Sequence, residues 1–282
     1  MSAWLLAHEA QIQSYLWLTS FILVALAESF WPRRTLCAGT GVRWFNNVAL
    51  TAIGLGVLRL CVPITALSFA VLVEERGWGF FNSVQLPVWL SCALTLIVLD
   101  LGNYAVHRLF HTAPLWRYHK IHHCDLDFDC GTAIRHHPVE TVLGLGAELL
   151  IIAAIGAPPV GVLIALTLAA VASVFNHGNV ALPSLTDRFL RRLIVTPDMH
   201  RIHHSALVPE GNSNFANLFP WWDHLFSTYC DVPQLGHESM AIGIEEARTQ
   251  ADVTLWKLLA MPFYPRGTPS GSTSASAQPQ SR

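Results

Sequence analysis

Four long apolar runs, at residues 11–31, 47–73, 84–106 and 139–176, constrain this chain more than anything else in it. A helix needs about 20 predominantly apolar residues to cross a bilayer. The last run is broken by Gly156-Ala157-Pro158-Pro159, and so reads as a helical hairpin whose two arms, of about 17 residues each, are at the low end of spanning length. Arg59 and Pro63 interrupt the second run, which is therefore either kinked or turns Arg59 toward other helices. Composition points the same way: 13% of residues are charged and 52% hydrophobic, with a mean hydropathy of +0.40. A soluble domain carries about a quarter charged residues. The expected fold is an all-α integral membrane protein with about three spans plus a helical hairpin as stem. Residues 1–265 form a single domain in this reading, and the polar stretch 266–282 a disordered tail.

Charge orients the spans. Residues 1–10 hold no Lys or Arg, unlike the n-region of a signal peptide. Counting crossings puts 32–46, 107–138 and 177–282 on one side, with Arg33, Arg34, Arg43, Arg108, Arg117, Lys120, Arg135, Arg188, Arg191, Arg192 and Arg201. The other side has 74–83 and the 156–159 turn, with Arg76 alone. The positive-inside rule makes the first side cytoplasmic. Net charge is −2 and the basic residues form no stripe with interleaved aromatics, so no nucleic acid is expected as a partner. The six cysteines show no CxxC pair, which leaves disulfide and zinc-ribbon frameworks unsupported.

Histidines begin where the third run ends. His107 and His111 come first, then the HxxHH set His119, His122 and His123, then a second such set at His200, His203 and His204. Residues three and four apart share one helix face. Pro114 ends the helix carrying His107 and His111 and opens another, and Thr196-Pro197-Asp198 has the cap, first-turn proline and early acid of a helix start. His177 returns to the same side at the end of the hairpin, and His137 stands between Arg135 and Glu140, where a ligand and a structural role are both open. His8, His136, His224 and His237 are expected to be structural or solvated. A structural zinc closes with four ligands and a catalytic zinc uses three plus water. Eight to ten clustered histidines are too many for one zinc and suit two metals. No ExxH pair occurs, which sets the chain apart from carboxylate-rich di-iron bundles. Asp100 and Asp223 are candidate partners for imidazole N–H groups, or else cap helices or pair with Arg. Asp125, Asp127 and Asp129 lack the glycine and terminal Glu of a calcium loop and read as a solvated loop.

The ordered set DLGNYAVHRLFH (100–111), LWRYHKIHH (115–123), RHHPVE (135–140), NHGNV (176–180), TPDMHRIHH (196–204) and NFANLFPWWDHLFSTY (214–229) resembles the membrane-bound fatty acid hydroxylase and sterol desaturase superfamily. The resemblance covers most of residues 20–230. It implies a His-rich centre of two iron ions using O2 to hydroxylate or desaturate a C–H bond of a membrane lipid, fed by an external cytochrome b5- or ferredoxin-like electron donor. The membrane would be the inner membrane of a bacterium or the endoplasmic reticulum of a eukaryote. Ser227 stands where the family usually has Gly, and one histidine stands near 177 where some members have two, which brings in Asn176 or Asn179 as a stand-in ligand or outer partner. Two other classes use the same residues: a membrane metal transporter or sensor, which predicts titratable residues paired within the spans, and a zinc-dependent hydrolase on the same fold.

Overall fold

The computed structural model of the protein describes residues 4, 7–84 and 86–264. Among these residues the chain is helical, with only isolated β-bridges. Five stretches are long and apolar enough to cross a membrane, which matches three spans plus a hairpin. The tail at 266–282 lies outside the described residues.

Helix α1 (Glu9–Phe30) has no buried residue, and Leu16, Leu18, Ile22, Leu23 and Leu26 are all exposed. Such a surface belongs in lipid. Helix α2 (Thr40–Cys61) starts earlier than the apolar run at 47, because Arg43, Asn46 and Asn47 are buried against protein. The helix stops at Val62, whose extended backbone precedes Pro63. Chain direction then resets into α3 (Ala66–Glu75), with the Thr65 side chain accepting from Ser68 N–H. Helix α4 (Val88–Phe110) runs into His107, and α5 (Ala113–His123) follows with proline in its first turn.

The hairpin is α6 (Pro138–Ile155) and α7 (Pro159–Asn176). Gly156 is left-handed at φ 68°, ψ 46°, and Pro159 opens the next helix, the usual asymmetry of helix ends. Helix α8 (Pro197–His203) carries the second HxxHH. Thr196 occupies the expected cap position, but its buried hydroxyl makes no capping bond. The stem core joins Leu67, Ala70 and Val73 of α3 to Ile152 of α6 and Val162 of α7.

The turn at 74–83 and the hairpin turn meet at the end opposite the histidines. Gly79 has φ +87°, and a Cβ on it would lie 2.1 Å from the Gly156 amide nitrogen. Only backbone is available to yield there. Gly79→Ala is expected to cost about 2–4 kcal/mol, combining left-handed strain with overpacking. An unchanged melting temperature in detergent would contradict this.

One expectation is corrected. Asp125, Asp127 and Asp129 are each at most 2% exposed and form no solvated loop. Arg43 donates from Nε and Nη2 to Asp125 and from Nη1 to Asp129, at 2.7, 2.9 and 2.7 Å. Asp127 accepts from the amides of Cys37 and Ala38. Burial raises the Asp125 pKa, but Arg135 and Arg43 outweigh it and hold the carboxyl at about 2. Sequence separation hides this network, since Arg43 lies 82 residues from Asp125.

Candidate metal centre

Four helices deliver nine histidines to two adjoining clusters, within each of which the ligand atoms all lie within 4.8 Å of one another. The first holds His107, His111, His119, His123 and His203, and the second His122, His177, His200 and His204. Each HxxHH is divided between them. On α5 the i, i+4 pair His119/His123 faces the first cluster while His122 faces the second, and on α8 the pair His200/His204 faces the second while His203 faces the first. Residues i and i+4 lie on one helix face whereas i+3 is rotated away from i+4, so one short helix wedged between two sites serves both.

The hydrogen bonds behind the rings fix which nitrogen faces inward. His107 Nδ1–H donates to the Phe215 carbonyl, His203 Nδ1–H to Ser213 and His177 Nδ1–H to Ser173, each at 2.7 Å. His122 Nδ1–H donates to the Arg135 carbonyl and His119 Nδ1–H to the Glu140 carboxylate. A carbonyl or carboxylate oxygen only accepts, so in a neutral ring each of these Nε2 atoms carries a lone pair. The Nε2 atoms converge: those of His107 and His203 are 3.0 Å apart, and the pairs His107/His119, His119/His123, His122/His177 and His177/His200 are each 3.1 Å apart. Burial and neighbouring histidines hold His122, His123, His200, His203 and His204 well below the usual imidazole pKa, and burial brings His177 down to about 3. Neutral imidazoles whose lone pairs face each other repel unless a cation lies between them. His111 Nε2, His200 Nδ1 and both ring nitrogens of His204 are buried without a protein partner. The donor set thus fits metal ions.

Other sequence candidates lie elsewhere. His137 Nδ1 accepts from Val139 N–H at the start of α6, and its Nε2–H donates to the Leu259 carbonyl. With both nitrogens engaged there, His137 stands outside both histidine clusters. Asp100 Oδ2 accepts from Trp222 Nε1 and Phe219 N–H, so it pins the 214–229 segment to α4 and touches no imidazole. Asp223 accepts from the amides of Phe215 and Ala216, fixing the carbonyl that holds His107 at one remove. Asn179 pairs with the backbone of Arg34, and Asn176 with Asn217. Asn179 is thereby engaged away from the histidines, whereas the buried Oδ1 of Asn176 has no hydrogen-bond partner. Ser227 has φ 56°, the left-handed conformation that a glycine would hold without strain.

Glu140 is the partner that sequence reading missed. Its Oε1 accepts from His119 Nδ1–H at 2.7 Å and from His136 Nδ1–H at 2.9 Å, while His136 stacks on His122 with ring centroids 4.7 Å apart. Burial lowers the His136 pKa, but Glu140 outweighs it and the net shift is upward. The i, i+4 spacing of His136 and Glu140 was the available signal. The carbonyls of Phe215, Ser213 and Ser173 left none, because a backbone acceptor has no side-chain identity. Glu140→Gln is expected to lower metal retention or turnover about 10- to 100-fold, read as faster metal loss to a chelator with unchanged helix content.

A cavity of about 360 Å³ runs from His107, His119, His122, His177 and His200 down between α4, α6 and α7, lined further on by Leu96, Leu99, Ile151 and Leu166. It brings the apolar stem directly under both clusters.

The fatty acid hydroxylase family model matches residues 92–228. Ornithine lipid hydroxylase OlsE of Rhizobium tropici is 27% identical over 258 residues, covering 89% of this chain and 75% of that protein. Human alkylglycerol monooxygenase is 26% identical over 64% of this chain, and methylsterol monooxygenase 1 of Gallus gallus 27% identical over 51%. The chain spans 40% and 49% of the length of the latter two. No solved structure matches the chain significantly. The matched region contains all nine clustered histidines, and with its relatives it indicates a lipid-oxidising oxidoreductase. The histidine-bearing core of this membrane protein belongs to the fatty acid hydroxylase family.

Proposed function

We propose that the protein is an O2-dependent di-iron hydroxylase or desaturase of a membrane lipid, with its histidine cap on the cytoplasmic face and electrons supplied by a separate cytochrome b5- or ferredoxin-like carrier. The observation that carries this reading is the convergence of two all-histidine clusters at the head of an apolar cavity that descends into the stem. A pair of redox-active irons supplies the O2 activation that an alkyl C–H bond demands. The chain's own contribution is orientation and exclusion of water. Backbone carbonyls and Glu140 hold the rings with Nε2 inward, and Leu96, Leu99 and Leu166 seat an alkyl chain below them.

Zinc fits less well. A catalytic zinc takes three protein ligands plus water, whereas the two clusters offer five and four imidazoles. A transporter predicts titratable residues paired within the spans; Glu28 is instead tied to the amides of Cys130 and Asn179, and Asp100 Oδ1 and Glu148 Oε1 have no hydrogen-bond partner. Purified protein, incubated with host lipid extract, O2 and a reducing system, is expected to contain iron and to yield lipids heavier by one oxygen or lighter by two hydrogens. Zinc as the sole metal, or no O2-dependent change in any lipid, would overturn the reading.

A further inference from the structure

The wall of the cavity beneath the histidines is not uniformly apolar. Asp100 on α4 and Glu148 on α6 both line it. Asp100 is 5% exposed and its Oδ1 has no hydrogen-bond partner, and neither does the buried Oε1 of Glu148. A buried carboxyl oxygen without a partner costs free energy that the fold must offset elsewhere. No Lys or Arg lines the cavity among the described residues, so no cationic side chain in the wall neutralises either group.

The two carboxyls lie near one helix crossing. A Cβ on Gly102 of α4 would meet Ile151 Cδ1 of α6 at 2.3 Å, so these helices touch there. Asp100 lies two residues from Gly102 on the side away from the histidines, about 3 Å along α4, and Glu148 three residues from Ile151 on the side toward them, about 4.5 Å along the antiparallel α6, so the two carboxyls flank the crossing. Asp100 is two turns, or about 10 Å, below His107 on the same helix. Asp100 already uses Oδ2 on Trp222 and Phe219, and its position is therefore fixed. Glu148 is the side chain with freedom to reach a guest.

We infer that Asp100 and Glu148 form a subsite for a hydrogen-bond donor on the substrate, so that the natural substrate is a lipid bearing a hydroxyl or amine within about 10 Å of the carbon that is oxidised. A plain alkyl chain would leave both oxygens orphaned, whereas a hydroxyl or amine satisfies them and fixes which carbon lies under the histidines. The inference rests on the proposed function for its reference to oxidation, but the subsite itself is a matter of binding.

The test is equilibrium binding of radiolabelled 1-dodecanol, dodecylamine and dodecane to the full-length, metal-loaded protein in nanodiscs, corrected for uptake by empty nanodiscs. The wild type is expected to bind the alcohol or the amine at least tenfold more tightly than the alkane. Glu148→Leu is expected to reduce that ratio to near one with unchanged metal content, and Glu148→Gln separates the two donors. A hydroxyl guest keeps its preference against the glutamine amide, and an ammonium guest loses it. Equal binding of the three probes by the wild type, or a tenfold preference surviving in a folded Glu148→Leu protein, overturns the subsite. Lipid oxidation by a wild type that shows no such preference would remove the subsite and leave the proposed function standing. Preference without any lipid oxidation would do the reverse.

Discussion

His203→Ala is expected to lower bound metal from about two ions per chain to about one, with lipid oxidation lost, and His200→Ala is expected to do the same at the other site. The two residues are three apart on one short helix, yet His203 joins the first cluster and His200 the second. Each substitution removes one histidine from a cluster of five or of four and leaves the other cluster complete. On the proposed two-metal chemistry a step that needs both metals would fail when either is missing, so activity is expected to fall by much more than half and the double variant to add little further loss. Elemental analysis of the single variants checks the partition. Loss of both metals in each would mean that the two clusters assemble only together, and full occupancy with full turnover in either would remove that histidine from the ligand set.

Arg43→Met should be the most destabilising single change outside the clusters. Arg43 is 2% exposed and serves Asp125 and Asp129 together, with Thr132 Oγ1 donating to Asp125 beside them. Removing one partner from a buried ion pair leaves uncompensated charge and costs about 3–5 kcal/mol. Here two carboxylates lose their shared cation, which puts the effect at the upper end of that range. The consequence should reach the metals, because Asp125 lies two residues beyond His123 and Arg43 ties α2 to the loop that follows α5. The expected result is a large drop in melting temperature in detergent together with weaker metal retention. Asp125→Asn with Asp129→Asn in the Arg43→Met background should recover part of the loss, since neutral amides are far cheaper to bury than bare carboxylates. A melting temperature within a few degrees of wild type would show that the network contributes little.

The spans and the clustered histidines were legible in the sequence for a simple reason: both are local patterns. Bilayer length imposes continuous apolar runs on the chain, and α1, α4, α6 and α7 appear where those runs are. Proline and the i, i+4 repeat mark a helix and its face, which located α5 and α8. Misreadings fell where partners are distant in sequence. Asp125, Asp127 and Asp129 looked solvated because the groups that hold them, Arg43 and the amides of Cys37 and Ala38, come more than 80 residues earlier. Asp100 reads in the sequence as an imidazole partner, a helix cap or a mate for Arg, but Trp222, 122 residues away, claims it.

By itself the sequence determined that the chain crosses a membrane repeatedly and that His107, His111, His119, His122, His123, His177, His200, His203 and His204 gather at one end of the spans. Helical period and bilayer thickness are enough for that. Only the tertiary structure decided which histidine belongs to which cluster, that His137 stands apart while Glu140 orients His119, and that two unpartnered carboxyls face the cavity below. Those outcomes depend on how α4, α5, α7 and α8 are rotated against one another, and a helix's own sequence specifies its faces but not the neighbour that each face will meet.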